Sequence, residues 1–243
     1  MTDIAPKTAL VVSAHAADFV WRAGGAIALY SKRGYDVTII CLSFGERGES
    51  AKLWRQGSGM TLDKVKDSRK GEAERAAEAL GAQNIEFFDL GDYPMRIEKS
   101  SLYRLVDVYR KIRPEFVLSH AFNDPYNFDH PLATQAVQEA RIIAQAHGHN
   151  PGEKVIGAPP VFLFEPHQPE QCDFKPNLLL DISEVWETKL KAIETMKGQE
   201  HLMAYYTRVA LQRGVQAKRN SGKNITHGEA YQRVFPQVTG ELS

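Results

Sequence analysis

Histidine and carboxylate side chains recur in this 243-residue chain at the points where apolar runs end. His15 and Asp18 form an H-x-x-D set directly after the run Thr8–Ser13 (TALVVS). His130 stands in F-D-H-P at the start of a helical pattern, after a polar stretch that holds His120, Asn123, Asp124, Asn127 and Asp129. Ser43, Glu46, Arg47 and Glu49 follow a second apolar run, and His167 follows a third within F-E-P-H-Q-P-E. Two neutral imidazoles and one carboxylate (His15, His130 and Asp18) make three protein ligands for a catalytic Zn²⁺, with a position open to water or substrate. Asp129 or Asp124 could orient His130 from behind. The same residues also have structural uses: a histidine at a strand end can be a plain hydrogen bonder, and Asp18 and Asp129 are suited to capping helices.

The elements that must position these groups follow from periodicity. Apolar runs of strand length fall at Thr8–Ser13 and at 36–42, 85–90, 115–119, 161–165 and 177–182. Helical patterns alternate with them at 19–33, 62–80, 100–112, 131–146, 184–196 and about 200–218. Gly34 and Gly81 stop two of the helices, and Pro114 stops another. This alternation predicts an α/β fold: a Rossmann-like three-layer α/β/α sandwich around a mostly parallel sheet. Such sheets bind ligands beyond the carboxyl ends of their strands, which is where four separate loops carry the polar residues. The Gly-rich stretch 45–61 reads as either an active-site loop or a disordered tip, with Trp54 either a lid or a side chain that packs against the body. The whole chain, 1–243, reads as one domain, and its C-terminal segment, about 220–243, as an arm that folds onto the body or a neighbouring subunit.

Thirty basic and thirty acidic residues cancel. That balance argues against a nucleic-acid or anionic-membrane partner, since both call for a basic excess. No apolar run approaches the roughly 20 residues that span a bilayer. The first apolar stretch lacks a basic leader and reads as a strand. Cys41 and Cys172 are too few and too far apart for a disulfide scaffold or a thiolate zinc site, so a reducing, cytoplasmic setting is expected. Gly24-Gly25 falls inside a helical pattern and signals close helix packing, not a phosphate loop.

In order and spacing these segments resemble the PIG-L/LmbE-like family of zinc-dependent N-acetylglucosaminyl deacetylases. The family's A-H-P-D-D-E opening and A-G-G helix correspond to Ala14–Phe19 and Ala23-Gly24-Gly25. Its x-G-x-x-G loop corresponds to Gly45-Glu46-Arg47-Gly48, and its R-x-x-E helix to Arg69 and Glu72. Its H-P-D-H becomes Asn127-Phe128-Asp129-His130, and its late R-G and E-A-[FY] become Arg213-Gly214 and Glu229-Ala230-Tyr231. The resemblance implies that His15, Asp18 and His130 hold one zinc ion per chain.

The departures from the family carry as much information. The position of the family's general base is Ala17, whose methyl group cannot take a proton, and the first histidine of H-P-D-H is Asn127. Loss of a positioned base typically costs about 10²–10⁴-fold in rate. The altered A-H-A-A-D-F opening and F-E-P-H-Q-P-E segment resemble a hydratase branch of the family. Its implied reaction adds water to the conjugated double bond of 4-oxalomesaconate, a small tricarboxylic oxo-acid of gallate degradation, giving 4-carboxy-4-hydroxy-2-oxoadipate. On that footing Glu46 is expected as the replacement base, with Glu49 less favoured, and His167 as the partner acid. Arg47, Arg69, Asn127 and Asp129 are expected to meet the substrate. A homo-oligomer is expected from relatives that assemble. The alternative expectation is N-deacetylation of an N-acetylglucosaminyl substrate, with Glu46 or Asp129 standing in for the missing base.

Overall fold

The computed structural model describes residues 6–82 and 84–240. Seven strands form one sheet: β1 (Thr8–Ser13), β2 (Asp36–Cys41), β3 (Asn84–Phe87), β4 (Phe116–Ser119), β5 (Val161–Phe164), β6 (Leu178–Asp181) and β7 (Gly228–Arg233). Their spatial order is β3-β2-β1-β4-β5-β7-β6. The first five in that order run parallel, and β7 is antiparallel to both of its neighbours. The helices are α1 (Asp18–Lys32), α2 (Ala51–Trp54), α3 (Leu62–Ala79), α4 (Lys99–Ile112), α5 (Asp129–Ala144), α6 (Trp186–Glu194) and α7 (Met203–Ser221).

Period-two alternation sorts the strand side chains into two cores. Ala9, Val11, Val37, Ile39 and Leu118 face α1, α3, α6 and α7, where Phe19, Ile27, Ala76, Ile193 and Ala210 meet them. Leu10, Val12, Ile40, Val117 and Leu163 face α4 and α5, where Leu105, Tyr109, Ala133 and Val137 meet them. Each fully buried Val, Leu, Ile or Phe among them contributes about 1.5–3 kcal/mol, and the alanines less. The expected three-layer α/β/α sandwich with its mostly parallel sheet is therefore present, and all six expected strands are in it. Among the described residues no helix is long and apolar enough to cross a membrane. Cys41 and Cys172 are both buried and unpaired.

The periodicity reading missed β7. Within the segment read as an arm, α7 runs on to Ser221 and residues 228–233 form a strand laid between β5 and β6. Its sequence, GEAYQR, lacks the apolar run of a buried strand, because Glu229 points into the protein for a different purpose. The Glu229 carboxylate accepts from the backbone N–H groups of Gly25 and Ala26 at 2.7 and 2.8 Å, from Lys189 Nζ at 2.7 Å and from Tyr231 Oη at 2.6 Å. Lys189 Nζ donates in turn to the carbonyl of Trp21 at 3.0 Å. A buried ion pair thus splints the middle of α1 against β7. The position requires glycine at 25: a Cβ there would meet the Ile182 side chain at 2.7 Å and Glu229 Oε1 at 2.8 Å. Close packing at Gly24-Gly25 is what the sequence led one to expect.

Removing one partner of a buried pair leaves an uncompensated charge, at about 3–5 kcal/mol. Glu229→Ala should therefore lower the unfolding free energy in urea by that amount. Glu184→Ala, at the exposed Lys32–Glu184 pair, should cost under about 1 kcal/mol. Equal costs at the two sites would contradict the splint.

Candidate active site

The segment between β1 and α1 closes on itself. The His15 backbone N–H donates to Asp18 Oδ2 at 2.9 Å, so a three-residue spacing brings both side chains to one point. Ala17 occupies the cap position of α1 and Phe128 that of α5, which rules out capping as the task of Asp18 or Asp129. After β2 the chain turns at Gly45, whose φ of 68° suits glycine. A Cβ at Gly45 would lie 3.2 Å from the Cβ atoms of both His15 and Glu49. The Glu49 N–H and the Ser50 hydroxyl close the turn by donating to the Gly45 carbonyl. Asp92 clamps it from outside, accepting from the backbone N–H groups of Arg47 and Gly48.

These turns assemble a group of four. Ligand atoms of His15, Asp18, Glu49 and His130 lie within 4.8 Å of one another. His15 Nδ1 is 3.2 Å from both Asp18 Oδ2 and Glu49 Oε1. His130 Nε2 is 3.5 Å from Asp18 Oδ1 and 4.0 Å from Glu49 Oε1. Each imidazole turns its other nitrogen to a carboxylate behind it: His15 Nε2 to Asp129 at 3.2 Å, and His130 Nδ1 to Asp124 at 2.8 Å. That is the pairing that fixes the tautomer of a metal-ligating histidine. His130 Nε2 is buried with no hydrogen-bond partner and faces Asp18 and Glu49 across the cluster. Two imidazoles and two carboxylates suit a divalent cation.

The electrostatics agree with that reading. Burial pulls the His15 imidazole down, but the charge of Glu49 and hydrogen bonds to Asp129 and Asp18 outweigh it and hold His15 well above its ordinary value. Burial raises the Asp18 and Glu49 carboxyls, and the surrounding histidines more than reverse this, leaving both below the usual carboxylate range. His120, stacked on His130 at 4.1 Å, is pushed well down by burial and by the neighbouring His130 charge. It stays neutral and accepts the Ala14 N–H at Nε2.

Of the residues expected from sequence, His15, Asp18 and His130 converge. Asn127 joins them at the edge, its Nδ2 3.4 Å from Glu49 Oε1 and its Oδ1 accepting the Asp129 N–H. His167 lines the cleft above the cluster, its ring stacked on Tyr205. Burial and the Arg22 charge hold its imidazole below the ordinary value.

Other expectations fail on geometry. Glu46 is buried but lies outside the cluster: its carboxylate accepts from the Phe44 N–H and from Arg47 Nη1, and burial raises its pKa. The turn at Gly45 aims residue 49, not residue 46, at the cluster of His15, Asp18 and His130. Arg47 stands half-exposed beside Glu46 and Asp92, off the cleft. Arg69 is fully buried, with donors spent on Phe44 O, Glu72 and Gln199, so it braces the 44 and 199 segments. Asp129 has both oxygens engaged, by Met95 N–H, Tyr93 N–H and His15, so it is a support for His15 and has no free edge toward substrate. Trp54 donates to the Glu46 carbonyl and packs the loop.

Sequence reasoning passed over Arg22. It sits at i+4 from Asp18, with Nε 3.4 Å from Asp18 Oδ1, and lines the same cleft of about 260 Å³. The i,i+4 spacing on α1 was the available signal. The assembled site can hold a cation, polarise an oxygen bound beside it and offer Glu49 as a proton acceptor.

Comparison with known proteins follows the same lines. Residues 10–141 match the PIG-L family, described as GlcNAc-PI de-N-acetylase. A Pseudomonas putida protein named 4-oxalmesaconate hydratase is 66% identical over 241 residues, covering 98% of this chain and 93% of its own length. The crystal structure of GalB, the 4-carboxy-2-hydroxymuconate hydratase of Pseudomonas putida, superposes with a TM-score of 0.95 at 66% identity, over 98% of this chain and all of that one. Diacetylchitobiose deacetylase of Thermococcus kodakarensis is 31% identical, over 79% of this chain and 70% of its own. The chain belongs to the PIG-L family.

Proposed function

We propose that the chain is a hydratase that adds water across the conjugated double bond of 4-oxalomesaconate to give 4-carboxy-4-hydroxy-2-oxoadipate. The observation that carries the reading is an exchange of carboxylates. Ala17 presents a buried methyl group where the deacetylases place their base, while Glu49 enters the cluster from a different loop. The 66% identity to a protein named as a hydratase supports the same conclusion. The alternative, amide hydrolysis, needs Glu46 or Asp129 as a stand-in base, and both are committed elsewhere.

His15, Asp18 and His130 would hold Zn²⁺, one ion per chain. That ion supplies Lewis-acid polarisation of a substrate oxygen or of water. Glu49, kept ionised by His15 and steadied by Asn127, takes a proton from water as the hydroxyl oxygen bonds to one alkene carbon. The π electrons move to the neighbouring carbon, which takes a proton from His167. A tricarboxylate in the cleft brings the negative charge that raises His167 into its protonated form. We place this reaction in gallate degradation, in the cytoplasm and with no nucleic-acid or membrane partner. A homo-oligomer is part of the same reading, supported by Phe122, Tyr126 and Phe128, each more than half exposed on one loop beside the cleft.

Glu49→Gln should lower kcat by about 10²–10⁴-fold, read as loss of the substrate's near-ultraviolet absorbance change, with zinc content unchanged. Glu46→Gln should stay close to wild type, and the reverse pattern would overturn the assignment of the base. No acetate should appear from N-acetylglucosaminyl compounds.

Metal loading should also be linked to pH. In the metal-free protein the charge of Glu49 and hydrogen bonds to Asp129 and Asp18 favour the protonated form of His15, holding its pKa well above the ordinary value against the pull of burial. A ligating imidazole must be neutral, so zinc uptake at pH 7 should release roughly one proton, and affinity should climb as pH rises through the raised pKa of His15. Calorimetric titrations in buffers of different ionisation enthalpy measure this. Uptake with no proton release would remove His15 from the ligand set.

A further inference from the structure

Arg22 is a cation with a largely buried side chain that makes an ion pair with Asp18 but no hydrogen bond to any described residue. Its side chain is 7% exposed, yet Nε makes no hydrogen bond, and neither Nη1 nor Nη2 donates to any described residue. The other buried cations are engaged. Arg69 donates to Phe44, Glu72 and Gln199, Lys189 to Trp21 and Glu229, and Arg110 to Ala144, Ala146 and Glu153. Arg141 reaches the Pro159 carbonyl, and Arg213 pairs with Glu165. A buried donor of an ionised group left without a hydrogen bond, as at Arg22 Nε, is costly, and a guanidinium has five N–H groups to satisfy. Asp18 balances the charge of Arg22, but the Asp18 oxygens are shared with His15, His120 and His130.

The setting indicates what would satisfy it. Arg22 is the only arginine or lysine among the described residues lining the cleft, which otherwise presents Asp18, Glu49 and Asp124. A trianionic substrate entering such walls needs a cation with free donors. A guanidinium edge matches a carboxylate with two parallel N–H···O bonds. Arg47 and Arg69, the residues expected for this task from sequence, lie off the cleft or are fully spent.

We propose that Arg22 is the carboxylate anchor of the cleft, binding one carboxylate of the substrate in two-point fashion beside Asp18 and so setting the register of the double bond against Glu49. The identity of that substrate rests on the hydratase reading, whereas the anchor itself is a statement about carboxylate binding.

The test uses zinc-loaded protein and two readouts. Propane-1,2,3-tricarboxylate, which cannot be hydrated, is titrated calorimetrically into wild type, Arg22→Gln and Arg22→Lys, and turnover of 4-oxalomesaconate is measured on all three. Loss of charge-assisted hydrogen bonds should weaken probe binding and raise KM by about 10- to 100-fold in Arg22→Gln, with zinc content unchanged. Arg22→Lys keeps the charge without the fork and should fall between; it also decides the matter if Arg22→Gln fails to fold. Equal probe affinity and equal KM in a folded, zinc-loaded variant overturns the proposal, as does absence of probe binding to wild type. Probe binding that depends on Arg22 in a wild-type protein that does not hydrate the oxo-acid upholds the anchor and removes the hydratase reading. Normal turnover with KM indifferent to Arg22 does the opposite.

Discussion

Two carboxylates, Asp18 and Glu49, are held with two imidazoles within 4.8 Å of one another at the floor of a cleft, three of the four residues being buried. Like charges that close repel strongly where the dielectric is low. The surroundings are arranged to make the crowding tolerable. Asp129 and Asp124 turn the histidines so that their free nitrogens face inward, and Arg22 lends a positive charge from α1. Hydrogen bonds and ion pairs from His15 to Asp18, Glu49 and Asp129 supply part of the balance. The sheet, the turn at Gly45 and the α1 splint all serve to keep this unfavourable set of charges together.

On the proposed reading, the site differs from the family's deacetylase pattern by relocation of the base, not by its loss. The base leaves the β1–α1 turn, where Ala17 is packed among apolar neighbours. A carboxylate returns from the β2–α2 loop, where Glu49 approaches the same ligands from another direction. Moving the proton acceptor relative to the cation changes which face of a bound molecule is offered water. That is a physical route from amide hydrolysis to alkene hydration on one scaffold.

Much of this was legible in the amino-acid order. The central strands β1, β2, β4 and β5 announce themselves as apolar runs because they are largely buried on both faces, the half-buried edge strands β3 and β6 still carry short apolar runs, and H-x-x-D with a later D-H-P marks three of the cluster's four members. What escaped has specific reasons. Strand β7 reads as polar because Glu229 is spent on backbone N–H groups of α1, a tertiary use that no local pattern encodes. Glu46 outranked Glu49 because it stands nearer the strand end, whereas the choice depends on the φ of Gly45 and on the Asp92 clamp, 45 residues away from Arg47. Arg69 drew notice by lying in a motif, and its burial shows that the motif is a brace. Arg22 lies in no motif, and its significance is visible only from its unmet donors.

The helix that presents Asp18 and Arg22 is completed by a strand some two hundred residues later in the chain. Until Glu229 has been synthesised, the N–H groups of Gly25 and Ala26 lack their carboxylate and the Lys189 ammonium has no counter-ion. The first half of the catalytic apparatus therefore leaves the ribosome before the piece that steadies it. A chain ending short of β7 would carry all four residues of the cluster, yet would present Asp18 and Arg22 on a helix that lacks its buried counter-charge. Selection for the reaction is in this way also selection for an intact carboxyl terminus.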